Sequence, residues 1–272
     1  MKIYDSHMHS EHSHDASKPV ESMAQTAQDM NFAGITITDH ADIAWFKSTD
    51  KINNILDLKK DIESIKNKFE IEILCGAEIG DMLNSPYEDA VYKVCENLDF
   101  VLASTHIRFT YQMLFDDYKK YSPVIENKTD DEVNTFLLKY YNNLKEIISQ
   151  IKADSVAHIT FPFKYISEQN TIDKTAYYPQ IEEIMDIAIK KGMALELNTS
   201  ASNRDIMEFM PNGELLKTYK KLGGKMITLG SDAHVTSSIG RNFENAFKLL
   251  KECGFNSYFV YKKRKPYEIA IY

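Results

Sequence analysis

The stretch "KIYDSHMHSEHSHDAS", residues 2–17, carries four of the chain's eight histidines directly after a short apolar start. An expression tag is one reading, and a metal site is the other. The histidines are interrupted and continue a strand pattern, which argues against a tag. In an extended strand residues i and i+2 face one way, so His7 and His9 can grip one ion side by side. A metal site needs partners elsewhere in the chain, and where they fall decides the fold.

They fall at the ends of further strand-like runs. After "KIYDSHMH" (2–9) come "GITITDH" (34–40), "IEILCGAEIG" (71–80), "FVLASTHI" (100–107), "DSVAHIT" (154–160), "ALELNTS" (194–200) and "KMITLGSDAH" (225–234). Each has the length and β-branched content of a buried strand. A weaker run, "SYFVY" (257–261), closes the series. Between the runs lie helix patterns. "PVESMAQTAQDMN" (19–31) opens on proline, and "DDEVNTFLLKYYNNLKEIISQIK" (130–152) follows Thr129, a natural N-cap. "YYPQIEEIMDIAIKKG" (177–192) and "NFENAFKLLKECG" (242–254) both end on glycine.

Strand then helix, about seven times over, means parallel strands joined by crossover helices. An open doubly wound sheet would spread its strand ends along an edge, and the outer ones could not meet. A barrel brings them to one mouth. Candidate ligands stand at the C-terminal ends of all seven runs, which favours an α/β fold of the distorted (β/α)7 TIM-like barrel kind. With no Gly/Ser-rich linker, repeat or composition break, residues 1–272 read as a single domain.

The ligand candidates are His7, His9, Asp15, His40, Glu78, His106, His158, Asp232 and His234. Imidazole with carboxylate suits Zn, Mn or Fe better than Mg or Ca. Nine candidates exceed what one tetrahedral ion takes, so two or three ions sharing a bridge are implied, with Glu78 and Asp232 as the natural bridges. Any one of these histidines alone would read as a buried, hydrogen-bonded side chain. Six of eight at strand ends would not. His12 and His14 lie in a polar loop, and His14 competes with Asp15 as the loop ligand.

Bulk properties bound the function. The chain has 272 residues, 43% of them hydrophobic and 26% charged, which is ordinary for a globular protein with a sizeable core. A net charge of −8 argues against a nucleic-acid partner, while leaving room for an anionic small molecule in a locally positive pocket. Three widely spaced cysteines form no disulfide framework and point to a reducing cytoplasm. The N-terminus lacks a signal-peptide core. No run approaches the roughly 18 apolar residues of a membrane span. The short basic "KKRK" (262–265) reads as a solvated surface stretch.

The first run and loop, "DSHMHSEHSHD", with its D-x-H-x-H-[ST]-x-x-S-x-D pattern, resembles motif I of the PHP (polymerase and histidinol phosphatase) superfamily. "ITITDH", "GAEIG", "LASTH", "VAHIT" and "GSDAH" resemble its later motifs in order, over essentially the whole chain. A stand-alone chain of this length most resembles the monofunctional histidinol-phosphatase branch. The resemblance implies a PHP-type barrel with three divalent ions, variously Zn, Fe and Mn. It implies one ion on His7, His9, Glu78 and Asp232, a second on Glu78, His106 and His158, and a third on Asp15, His40 and His234. Some members carry cysteine at the position of His158. Many have S-D-G where this chain has "SHDAS", a departure that falls on the loop ligand.

The implied activity is hydrolysis of a phosphate monoester, L-histidinol phosphate, to L-histidinol and phosphate in histidine biosynthesis. A water shared by two ions supplies hydroxide near neutral pH. Arginine matches phosphate bidentately. Arg204, Arg108 and Arg241, ranked in that order, lie in loops at the expected mouth, and Arg264 does not. Arg204 with Ser200 forms the expected phosphate cradle. Asp232 or His234 is the candidate proton donor to the leaving group. "ITFPFKY" (159–165) and "DIAWFK" (42–47) offer aromatic walls for an imidazole, or simply pack their loops. The competing readings are another PHP-type phosphoesterase acting on nucleotides or oligonucleotides, and a catalytically idle metal-binding module.

Overall fold

The computed structural model describes residues 2–41, 49–80, 88–105, 128–166, 169–201 and 208–272. Seven parallel strands form one sheet in chain order: β1 (Tyr4–Met8), β2 (Gly34–Ile37), β3 (Glu72–Gly80), β4 (Phe100–Ser104), β5 (Ser155–Val156), β6 (Ala194–Asn198) and β7 (Ile227–Gly230). Each is followed by a helix: α1 (Val20–Asp29), α2 (Thr49–Ile65), α3 (Glu88–Cys95), α4 (Asp130–Gln150), α5 (Tyr178–Lys190), α6 (Gly213–Lys221) and α7 (Phe243–Glu252). The sheet closes on itself at its C-terminal end. The Asp232 N–H donates to the His7 carbonyl at 2.8 Å and the His9 N–H to the Ala233 carbonyl at 2.9 Å, beside a parallel bridge between Met8 and Ala233. The result is the near-closed (β/α)7 barrel that converging ligands require.

Local sequence explains the elements. Thr129 caps α4 in a reciprocal box: its hydroxyl accepts the Glu132 N–H, and the Glu132 carboxylate accepts the Thr129 N–H at 2.8 Å. Val133, Phe136, Leu137, Tyr140, Tyr141, Leu144, Ile147 and Ile148 then recur at helical spacing and are all buried. Burying each such side chain is worth about 1.5–3 kcal/mol. On the strands, Ile35, Ile37, Val101, Ala103, Leu195, Leu197, Ile227 and Leu229 belong to the large core beneath the helices. Alternate residues therefore face the barrel axis.

β1 departs from simple alternation. Tyr4 pairs with Gly34, whose missing Cβ leaves room for the Tyr4 ring, yet Met8 pairs with Ile37, so the register slips between Asp5 and Met8. The extra residue reverses the facing of everything after it. Met8 consequently joins the outer core, while His7 and His9 turn to the axis.

The run 257–261 does not join the barrel. It forms β8 (Ser257–Lys262), which pairs antiparallel with β9 (Lys265–Ala270) through a two-residue turn. Lys263 and Arg264 hold φ at 51° and 62°, the left-handed pair that such a turn demands. Asp99, just before β4, accepts the Lys263 N–H on its side chain and the Arg264 N–H on its carbonyl, both at 2.9 Å. Tyr261 stacks on Phe100, with Leu102, Ala157 and Ala194 around it. The hairpin thus plugs the N-terminal end of the barrel. The basic stretch is correspondingly more than a solvated surface: Arg264 pairs with Asp154 and donates to the carbonyls of Cys95 and Lys152. Among the described residues no helix is long and apolar enough to cross a membrane.

Candidate metal centre

The ligand candidates from β1, β2, β3, β5 and β7 meet at the C-terminal mouth. His7 Nε2 lies 3.2 Å from His9 Nε2 and 3.3 Å from Glu78 Oε2. His9 Nε2 lies 3.2 Å from Asp232 Oδ1, and His158 Nε2 lies 2.8 Å from Glu78 Oε1. Glu78 Oε2 is also 3.1 Å from His40 Nδ1. Asp15 Oδ2 stands 3.0 Å from His234 Nε2 and 3.3 Å from His40 Nε2. The His14 ring centroid is 5.2 Å from that of His40. His106 lies outside the described residues, as do Arg204, Arg108 and residues 42–47.

Among the described residues three groups of ligand atoms at this mouth each fall within 4.8 Å: His7 with Glu78 and His158, His7 with His9 and Asp232, and His9 with Asp15, His40 and His234. The donor chemistry fits divalent cations of the Zn, Mn or Fe class. Imidazole nitrogens and carboxylate oxygens converge at non-bonded distances, as groups sharing a cation do. The grouping differs in detail from the ligand sets expected above. His7 leans toward the Glu78–His158 set, and the His9 ring stacks on both His234 and His40, with centroids 4.2 and 4.3 Å away. A fourth group, Glu11, His12 and Asp61, lies apart on the surface, where His12 Nε2 is 2.8 Å from Asp61 Oδ2.

Backbone shape serves the convergence. Asp232 adopts φ 54°, a left-handed conformation uncommon outside glycine. At Gly230 a Cβ would collide with the His7 side chain and the Glu196 carboxylate, so only glycine lets β7 approach so closely.

Charges polarise the cluster. Burial pulls His7 toward neutrality, but the carboxylates of Glu196, Asp232 and Glu78 outweigh it and raise its pKa well above the usual imidazole value. His9 is pushed down to about 3, by burial first and then by the neighbouring His234 and His40. Burial also lowers His234, but hydrogen bonding to Asp15 and the charge of Asp232 raise it to about 9. Burial would raise Asp15 and Asp232; the surrounding imidazoles hold both carboxyls well below their ordinary range.

The two residues expected to protonate the leaving group both lie within ligand groups. Asp232 turns Oδ1 to His9 and Oδ2 to Ser200 and Asn198. His234 faces the Asp15 carboxylate with Nε2 and the Asp232 carbonyl with Nδ1. Ser200 donates its hydroxyl to Asp232 at 3.3 Å. Arg241 donates to Ser238 Oγ at 2.5 Å.

Four residues beyond the sequence reading support the site. Ser13 Oγ sits 3.1 Å from His9 Nδ1 and accepts the His40 N–H at 3.0 Å. Glu196 and Asn198 stand behind His7 and Asp232. Lys164 is half-buried, with Nζ 4.2 Å from the Phe161 ring centroid, and the Phe161 ring is 4.7 Å from His158. Burial lowers the Lys164 pKa, the charges of Asp232 and Glu78 oppose this, and Arg241 reinforces it. An acid two residues before the end of an apolar strand, as in "ALELN", was the visible signal for Glu196. Lys164 gave none, because nothing in "FPFKY" says that this turn folds back over the mouth.

Comparison with known proteins places this geometry. The chain is 27% identical to the probable histidinol-phosphatase of Clostridium acetobutylicum, over 97% of this chain and 99% of that one. It is 27% identical to the histidinol-phosphatase of Lactococcus lactis subsp. lactis, over 94% of this chain and 93% of that one. The crystal structure of histidinol phosphate phosphatase from Lactococcus lactis subsp. lactis, complexed with zinc, L-histidinol and phosphate, shares the fold. Its TM-score is 0.78 at 24% identity, over 98% of this chain and 99% of that one. The family model for the PHP domain matches residues 5–200, from Asp5, two residues before His7, to Ser200, two residues past the sixth strand, and the chain belongs to that family.

Proposed function

We propose that this protein is a metal-dependent phosphomonoesterase that hydrolyses L-histidinol phosphate to L-histidinol and phosphate, in the service of histidine biosynthesis. The observation that carries the reading is the contiguity of the three ligand groups at one mouth, with the cation of Lys164 beside them. Relatives carrying that activity in their names align over nearly the full length of both chains.

His7, Glu78 and His158, joined by His106, would hold one ion; His7, His9 and Asp232 a second; and Asp15, His40 and His234, with His9, a third. Divalent ions in these positions supply positive charge at the phosphoryl oxygens and a nucleophile near neutral pH. The chain's own contribution is binding and orientation. Lys164 and Arg241 bind phosphoryl oxygens and offset their charge, with Arg204 and Arg108 as further donors. The Phe161 ring offers a flat face to the imidazole of the alcohol. The substrate is a small molecule, and the net charge of −8 argues against nucleic acid in its place. Three free, buried cysteines suit a reducing cytoplasm.

The test is phosphate release from L-histidinol phosphate by the metal-loaded protein. The expected result is a kcat/KM far above that for generic aryl phosphates. Equal rates on both, or preference for nucleotides or phosphodiesters, would overturn the substrate assignment.

A further inference from the structure

Among the described residues β6 supplies no ligand to the three groups at the mouth, yet its axis-facing residues hold three of the ligands, His7, His158 and Asp232, from behind. Glu196 is fully buried at the centre of the strand. Its Oε1 lies 2.6 Å from His7 Nδ1. Its Oε2 accepts the backbone N–H of His158 at 2.7 Å and the Asn198 side-chain amide at 3.1 Å. Two positions on, Asn198 donates to Asp232 Oδ2 at 3.4 Å.

The Glu196 carboxylate accepts the His158 and Asn198 N–H groups and has no hydrogen of its own to give, so the hydrogen in its contact with His7 Nδ1 belongs to the imidazole. His7 must therefore carry hydrogen on Nδ1, which commits Nε2, the nitrogen facing His9, Glu78 and Asp232, to cation binding. The same carboxylate fixes the main chain of His158, whose ring meets Glu78 on the other side of that group. We infer that Glu196 is a positioning residue for the metal centre: it sets the tautomer of His7 and fixes His158, and so holds together the His7–Glu78–His158 group. The inference rests on reading the mouth cluster as a metal centre. It also predicts selectivity. Glu196 touches none of His9, Asp15, His40 or His234, so its loss weakens the two groups that share His7 and spares the group of His9, Asp15, His40 and His234.

Three substitutions separate the roles. Glu196→Gln keeps the shape but offers only one accepting atom, so one N–H donor meets an amide N–H whichever way the amide turns. Glu196→Asp keeps an acceptor-only carboxylate one methylene shorter. Glu196→Ala removes the group. Zinc content and affinity are measured by metal analysis and competitive titration, and the His7 tautomer by long-range proton–nitrogen NMR of the zinc-loaded protein. Thermal unfolding of each variant monitors the fold. The expected result is a loss of about 10–100-fold in zinc affinity at the sites that share His7 in the Gln and Ala variants, with partial recovery in Asp. The ion on His9, Asp15, His40 and His234 should be retained, and wild-type His7 should carry its proton on Nδ1. Wild-type zinc affinity in Glu196→Gln overturns the inference. So does a wild-type His7 protonated on Nε2, an observation that stands even if the Gln and Ala variants fail to fold. Failure of the wild-type protein itself to bind metal would instead remove the metal reading beneath it.

Discussion

His9 Nε2 lies 3.2 Å from Asp232 Oδ1, so the segments that follow the first and last barrel strands share one ligand group at the seam where the sheet closes. Neither side chain contributes to the apolar core. His9→Ala and Asp232→Asn are each expected to lower metal content and to reduce turnover below detection, while far-ultraviolet circular dichroism stays close to wild type. Metal analysis on the purified variants checks this. Full occupancy in both would show that the cluster binds its ions through other atoms.

Metal loading should release protons. In the metal-free protein His234 keeps its proton up to a pKa of about 9, because Asp15 and Asp232 outweigh its burial. Binding an ion through Nε2 must expel that proton, so affinity falls as pH drops below that value, by about tenfold per pH unit for each proton displaced. His7, also raised, adds in the same direction. His9, lowered to about 3, adds nothing near neutrality. Zinc titrations between about pH 6 and pH 8.5, in buffers of different ionisation enthalpy, read both the slope and the released protons. An affinity independent of pH would contradict the charge distribution described for the cluster.

Lys164 and Arg241 are expected to act on the substrate and not on the ions. Lys164→Ala or Arg241→Ala should keep the metal content and lower kcat/KM by about 10–100-fold, the usual cost of a lost charge-assisted hydrogen bond. Steady-state kinetics beside metal analysis checks the pair. Loss of metal in Lys164→Ala would show that its role lies with the ligands.

At the opposite end, Arg264→Ala should destabilise the fold without touching the centre. It strips the partner from the Asp154 carboxylate and leaves the carbonyls of Cys95 and Lys152 without their donor. Because both partners retain some solvent contact, the expected loss is roughly 2–3 kcal/mol, below that for a fully buried pair. Chemical denaturation measures it, and kcat with saturating metal should match the wild type.

The alternation of strand and helix, the capping of α4 by Thr129 and the placing of histidines and acids at strand ends were all legible in the sequence by itself. Each depends on residues within a turn or two of one another, where periods of 2 and 3.6 fix what faces what. The convergence of ligands from five strands followed, because a barrel brings its C-terminal strand ends to one mouth. The tertiary structure alone decided the rest. The slip in β1 that turns His7 and His9 inward is a matter of pairing with β2, and no spacing within β1 encodes it. The division of ligands among groups, the service of Glu196 to His7, the turn bringing Lys164 near the mouth and the hairpin beneath the barrel all depend on register between chemically distant segments. A sequence states which residues are available, but ångström separations across a closed sheet are set by how every strand is staggered against its neighbours.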